Sequence, residues 1–77
     1  MMDPEGVKEL VKITFPEAKV EVSDLTGTFD HFQIHVASPV FAGKKLIDQH
    51  RMVQASVQEA LLDGRIHAIQ IKTSISK

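Results

Sequence analysis

The stretch HFQIHVAS, residues 31–38, decides the fold of this chain. Its polar and apolar residues alternate, which is typical of a strand with one face buried. The apolar face carries Phe32, Ile34 and Val36, and the polar face carries His31, Gln33 and His35. The preceding stretch AKVEVSDL, residues 18–25, alternates in the same way, and the glycine in the intervening TGTFD predicts a turn. The two runs therefore predict an antiparallel hairpin.

The residues that follow predict a long helix and a third strand. A proline and a glycine in SPVFAGKK, residues 38–45, indicate a loop, and helical spacing then runs from Lys44 to Leu62. The predicted apolar stripe of that helix is Leu46, His50, Val53, Val57, Ala60 and Leu61, with Met52 pointing away from it. Gly64 ends the helix, and RIHAIQIKTS, residues 65–74, predicts the last strand.

An amphipathic helix precedes the hairpin. Asp3 can cap it, Pro4 suits its first position, and Phe15–Pro16 stops it. The element order is therefore αββαβ. Because a strand–helix–strand crossover joins parallel strands, we expect an α+β fold with a three-stranded mixed sheet and its helices packed on one face. We expect residues 1–77 to form one domain.

Composition narrows the classes of function. The chain has 77 residues, of which 43% are hydrophobic and 25% charged, with a formal net charge of −1 and no cysteine. The charge argues against a protein built mainly to bind nucleic acid, and the lack of cysteine excludes thiolate chemistry supplied by this chain. No apolar run of about 18 residues predicts a membrane span, and the first residues lack the features of a signal peptide. We therefore expect a cytoplasmic protein.

Two of the four histidines share one end of the predicted sheet. If the second and third strands are parallel neighbours, His67 lies beside His31 and the hairpin turn. His67 shares strand parity with Ile69 and Ile71, so it leans toward the helix-covered face. Each histidine is either a structural residue or a metal ligand, because neutral imidazole is a common ligand. His35 is about 13 Å from His31 along the strand, too far to share one ion with it, and His50 lies in the helical stripe.

Other chemistry finds little support in the sequence. Neither a nucleophile elbow nor a Walker A motif occurs, so we do not expect an enzyme. Gly43, Lys44 and Lys45 precede a helix start, where backbone N–H groups can meet a phosphate. The alternative is a solvated helix start.

The combination FAGKKLIDQHRMV, GRIHAIQIKT and DHFQIHV resembles the BolA family. The matching residues are Phe41, Gly43, Lys44, Leu46, His50, Arg51 and Val53, then Ile66, His67, Ala68, Lys72 and Thr73, with His31–Phe32 upstream. The resemblance covers nearly the whole chain. It implies a fold similar to class II KH domains, in agreement with the order derived above.

The resemblance also implies a partner and a cofactor. BolA-like proteins pair with monothiol glutaredoxins across a 2Fe-2S cluster that glutathione also ligates. The family's C-terminal histidine, which matches His67, is a cluster ligand, and a second ligand comes from the loop between the first two strands, where His31 is the only imidazole. We accordingly expect a chain that is monomeric alone and heterodimeric with glutaredoxin.

The alternative function is a KH-like transcriptional regulator that binds DNA through Lys44, Lys45 and Arg51. A KH domain grips nucleic acid with a GXXG loop, whereas this chain has only FAGKK in a comparable loop.

Overall fold

The computed structural model describes residues 2–27 and 31–76. Helix α1 (Pro4–Thr14) leads into strands β1 (Lys19–Asp24) and β2 (His31–Ala37), and a short 3₁₀ helix (Pro39–Phe41) follows. Helices α2 (Leu46–Ser56) and α3 (Gln58–Leu62) then lead to β3 (Ala68–Ser74). The fold is α+β, as the sequence predicts, although the single long helix of that prediction is two helices.

The three strands form one mixed sheet in the order β1-β2-β3. β1 and β2 are antiparallel, with Val20 opposite Val36, and β2 and β3 are parallel, with His31 opposite Ala68. Both the predicted hairpin and the predicted crossover are therefore confirmed. In the hairpin turn Gly27 has a φ of 75°, and the predicted turn residues 28–30 lie outside the described part of the chain.

One face of the sheet carries the core and the other is polar. Because side chains alternate along a strand, the apolar half of each strand points toward the helices. The buried hydrophobic residues are Val7, Val11, Phe15, Ala18, Val20, Phe32, Ile34, Val36, Phe41, Val53, Val57, Ala60 and Ile66. The opposite face presents residues such as Glu21, Gln70 and Lys72 to solvent.

Helix α1 follows the sequence prediction closely. The Asp3 carboxylate accepts a hydrogen bond from the Gly6 N–H at 2.8 Å, which satisfies one of the open donors of the first turn. Val7 and Val11 are buried one turn apart, and the helix ends at Thr14, with Phe15 as its C-cap residue. The Phe15 ring packs against the Phe41 ring with a centroid distance of 5.6 Å, so the end of α1 is joined to the loop before α2.

The predicted helix from Lys44 to Leu62 is wrong at its start and in its middle. α2 begins at Leu46, and the chain leaves helical geometry at Val57, where φ is −118° and ψ is 12°. The Ser56 hydroxyl donates to the Val53 carbonyl, while the Val57 N–H donates to the Gln54 carbonyl. The Ser56 hydroxyl therefore bonds to the Val53 carbonyl, which would accept from the Val57 N–H if the α-helix continued.

The predicted apolar stripe is also displaced around the helix axis. Leu46 is 61% exposed and His50 is only half-buried, whereas Gln49 is 8% exposed. Met52, predicted to point away from the stripe, is partly buried and packs against the core. The inward face of α2 is therefore centred nearer to Gln49 and Val53 than the distribution of apolar residues predicts.

Candidate functional site

A short connection between α3 and β3 positions the first histidine. Gly64 has a φ of 84°, a left-handed conformation that glycine adopts without steric cost. The Asp63 carboxylate accepts a hydrogen bond from the Arg65 N–H at 3.0 Å and pairs with the Arg65 side chain at 2.8 Å. The Arg65 N–H, followed by the guanidinium, lowers the pKa of Asp63 below its usual value. These bonds stabilise the turn between α3 and β3.

Ile66 anchors this connection in the core. Its side chain is 1% exposed, and its N–H donates to the Ala60 carbonyl at 3.1 Å. Residues 65–67 therefore belong to the connection, and β3 begins at Ala68 rather than at Arg65. His67 lies between a buried residue and a hydrogen-bonded strand, so its backbone is held from both sides.

The His67 side chain is exposed, although the sequence predicts that it leans toward the helix-covered face. Its parity with Ile69 and Ile71 would direct it inward if it lay within the strand. Since the sheet begins one residue later, His67 lies beyond the sheet's end, where the core does not cover it.

His31 and His67 are neighbours at this end of the sheet, as predicted. His31 is the exposed first residue of β2, and the parallel register places it opposite Ala68, which follows His67. The two imidazole rings have a centroid distance of 6.4 Å and an interplanar angle of 55°. A groove that includes His31 but not His67 is lined by Leu25, Thr26, His31, Phe32, Ala68, Ile69 and Gln70.

The pair supplies half of a coordination sphere. Metal–imidazole distances are about 2.0–2.1 Å, so two rings 6.4 Å apart can reach one metal centre with small side-chain rotations. Among residues 2–27 and 31–76, no group of three or more His, Asp or Glu side chains could hold a metal ion. A centre bound here would therefore need further ligands from outside the described chain.

The other two histidines have different environments. His35 is half-buried, and its Nε2 lies 3.0 Å from the Ser74 hydroxyl, so it joins β2 to β3 on the open face. His50 is half-buried on α2. The structure brings neither of them into the pair formed by His31 and His67.

Two of the candidate phosphate-binding residues lie in the loop after the C-terminal end of β2, whereas His31 is at its N-terminal end. Lys44 and Lys45 are exposed in the loop before α2, and Arg51 is exposed on the helix itself. Lys45 is the N-cap residue of α2, and its side chain makes no capping hydrogen bond. These cations therefore face solvent near a helix start, as the sequence predicts.

Sequence reasoning missed Gln49. Its Nε2 donates to the Lys44 carbonyl at 2.9 Å, and its Oε1 accepts a hydrogen bond from the Thr73 hydroxyl. The Gln49 side chain thus joins the loop before α2 to β3. Its spacing of four residues before Val53, itself four before Val57, is the signal that could have placed it on the inward face.

No helix in the described part of the chain is long and apolar enough to cross a membrane.

Comparison with known proteins gives one consistent answer. The family model for BolA-like protein matches residues 11–77. A BolA-like hypothetical protein from Rickettsia prowazekii, solved by NMR, is 30% identical with a TM-score of 0.76, and the match covers 99% of this chain and 97% of that one. Protein BOLA2 of Arabidopsis thaliana is 34% identical over 73 residues, which span 94% of this chain and 76% of the relative. The DNA-binding transcriptional regulator BolA of Escherichia coli is 28% identical, and the match covers 95% of this chain and 75% of the regulator. The chain belongs to the BolA-like family.

Proposed function

We propose that this chain pairs with a monothiol glutaredoxin and helps to bind a 2Fe-2S cluster that glutathione also ligates. The proposed role is in cluster assembly, cluster trafficking or iron and redox sensing, and it involves no catalysis. The observation that carries it is the pair of exposed imidazoles, His31 and His67, at one end of the sheet with a centroid distance of 6.4 Å.

The residues present fit such a shared centre. Imidazole nitrogen replaces cysteine thiolate on one iron in some 2Fe-2S centres. This chain has no cysteine, and its described residues hold no set of three ligands. A pair of imidazoles that face solvent suits a centre whose thiolates come from another molecule. Buried histidines within a closed cage would have argued against the proposal.

Each element of the site has a defined task. The buried Ile66 and the start of β3 hold the backbone of His67, and the β2 ladder holds His31. The cluster would supply an electron-accepting iron centre, and a neutral ligand in place of a thiolate raises its reduction potential. The apolar side of the groove, formed by Leu25 and Ile69, would help to exclude water where the partner docks.

The test is anaerobic reconstitution with a monothiol glutaredoxin, glutathione, iron and sulfide. We expect His67→Ala to fold normally but to give a cluster that is labile, or that reverts to the glutaredoxin homodimer with a changed visible circular dichroism spectrum. His31→Ala should give a smaller change. His35→Ala is the matched control, because it removes an imidazole from the same sheet at about 13 Å from His31. A His67→Ala complex whose spectrum and lifetime match the wild type would refute the ligand assignment.

A second candidate function is DNA binding. It is supported by the exposed Lys44, Lys45 and Arg51 and by the name of the Escherichia coli relative, although the net charge of −1 weighs against it. A titration with duplex DNA at two salt concentrations tests it. Phosphate contacts release counterions, so true binding must weaken steeply as salt rises. Lys44→Ala with Lys45→Ala should then reduce both the affinity and the salt slope.

A further inference from the structure

The two edges of the sheet differ in how well they are protected against pairing with another strand. Three of the six residues of β1 are charged, and Lys19 pairs with Glu21 at 3.8 Å. β3 has seven residues and a single charge, Lys72. Charged side chains are one of the means by which proteins protect exposed edges, because an unpaired edge offers hydrogen bonds to other chains. By this criterion β1 is protected and β3 is open.

The backbone groups on the open edge of β3 can be identified. The Ser74 carbonyl accepts a hydrogen bond from the Ser38 N–H at 3.1 Å, so Ser74 faces β2. Backbone groups of successive residues point to alternate sides of a strand, so Ile69, Ile71 and Thr73 direct their N–H and C=O groups outward. Within residues 2–27 and 31–76, no other strand pairs with this edge.

We infer that β3 pairs antiparallel with β3 of a second copy of this chain, centred on Ile71. The product is a twofold-symmetric dimer with a continuous sheet of six strands, three from each copy. In this register Ile71 lies opposite itself, Ile69 lies opposite Thr73, and Gln70 lies opposite Lys72. Ile69, Ile71 and Thr73, whose backbone groups point away from β2, then form hydrogen-bonded pairs with the second copy.

The sequence of β3 favours a second copy as the occupant of its edge. In the register centred on Ile71, all seven residues of β3 in one copy are paired with the seven residues of β3 in the other. This register places no two lysines opposite each other. A register centred on Lys72 would place the two lysines opposite each other, and like charges directly opposite are destabilising. The side chains of Ile69 and Ile71 are half-buried against the core, so pairing covers apolar surface that the edge leaves exposed.

The same geometry limits the assembly to two copies. Once both β3 edges are paired, the remaining edges of the long sheet are the two charged β1 strands. The interface is isologous and therefore closed. The dimer does not depend on the proposed function, because it uses backbone groups of β3 and no metal. The expectation of a monomeric chain gives way to an equilibrium between monomer and dimer.

A disulfide test reads the register directly, because the chain has no cysteine of its own. In the proposed register Gln70 and Lys72 form a non-hydrogen-bonded pair with a Cα distance of about 4.5 Å, within the range of about 4.4–6.8 Å that a disulfide requires. A Gln70→Cys chain mixed with an ¹⁵N-labelled Lys72→Cys chain should give the mixed disulfide under mild oxidation. Two Gln70→Cys chains are offset by two residues, about 6.8 Å along the strand, so they should crosslink more slowly.

Gln33→Cys is the matched control for random collision, because Gln33 lies beside Gln70 on the same face but on the central strand. Mass spectrometry of the three disulfide products gives their ratios. Equal rates for all combinations, or rates no higher than the control, would overturn the proposed pairing. Preferred crosslinking between two Gln70→Cys chains would also overturn it, since that product requires a different register.

A charge test checks the same pairing without cysteine. Gln70→Glu places a carboxylate opposite Lys72, and Gln70→Lys places two lysines opposite each other, twice in each dimer. Cross-strand charge pairs of this kind should lower or raise the dimer Kd by about 2- to 30-fold, respectively. The controls are Gln33→Glu and Gln33→Lys, which change the net charge equally. Sedimentation equilibrium that finds a monomer up to about 1 mM, or equal effects at positions 70 and 33, would refute the dimer.

Discussion

Replacing Gln49 by alanine tests how the loop before α2 is held. The Gln49 side chain is 8% exposed and connects two parts of the chain that are distant in sequence. It donates to the Lys44 carbonyl at 2.9 Å and, more weakly, to the Phe41 carbonyl at 3.5 Å, and it accepts from the Thr73 hydroxyl. Gln49→Ala removes all three contacts at once.

The expected cost follows from the groups that lose their partners. Leaving a buried polar group without a hydrogen bond costs about 1–3 kcal/mol. Because Lys44 is exposed, water can bond to its carbonyl, and the Thr73 hydroxyl can rotate toward another acceptor. The cost for each of these two groups is therefore near the lower end of that range. We expect a loss of about 2–3 kcal/mol in the free energy of unfolding. For a domain of this size that corresponds to a Tm lower by about 8–24 °C.

Urea unfolding followed by far-ultraviolet circular dichroism measures this loss. Gln54→Ala is the matched control, because Gln54 is an exposed glutamine on the same helix. Thr73→Val and the double variant complete a mutant cycle, in which we expect a coupling energy of about 0.5–3 kcal/mol. If Gln49→Ala costs no more than Gln54→Ala, or if the two substitutions are additive, the hydrogen-bond network does not hold the loop.

Three further predictions concern the core, the second helix and the turn before β3. Val57→Asp should unfold the domain, because Val57 is 1% exposed and an unpaired buried charge costs several kcal/mol; a cooperative melt would contradict this. His50→Ala should change stability by less than about 1 kcal/mol, since His50 is only half-buried; a loss as large as that of Gln49→Ala would show an unrecognised contact. The pKa of Asp63 is lowered in the folded state, so its contribution to stability is present above its unfolded pKa and is lost as pH falls through the folded value. Carboxyl NMR titration should therefore give Asp63 a pKa below 3.8, and Arg65→Ala should raise it; a pKa unchanged by that substitution would exclude the guanidinium as a cause.

The elements whose determinants lie close together in sequence could be predicted from it. Alternation in residues 18–25 and 31–38 gives the hairpin, because side chains of a strand point to opposite faces regardless of what covers them. The Asp3 cap and the Gly64 terminator act within a few residues of their own positions. The crossover rule then fixes the parallel partner of β2, and with it the juxtaposition of His31 and His67.

Only the tertiary structure decided how the long helix is rotated and where it breaks. The periodicity of α2 is compatible with either Gln49 or His50 facing inward, and the choice depends on the Thr73 hydroxyl, 24 residues away. The break at Val57 depends on a serine hydroxyl that competes for a backbone carbonyl. Such competition depends on the packing around the helix, which hydrophobic periodicity does not encode.

The exposure of His67 was decided in the same way. The parity of the strand predicts an inward side chain, but the burial of Ile66 and its bond to Ala60 hold the preceding residues against α3. The sheet therefore starts at Ala68 and leaves His67 beyond the cover of the core. The sequence determines which histidines meet at one end of the sheet and that His31 lies on its polar face. Only the packing of the connection against the helices determines that His67 is exposed, because strand parity specifies a face only where the strand is paired and covered.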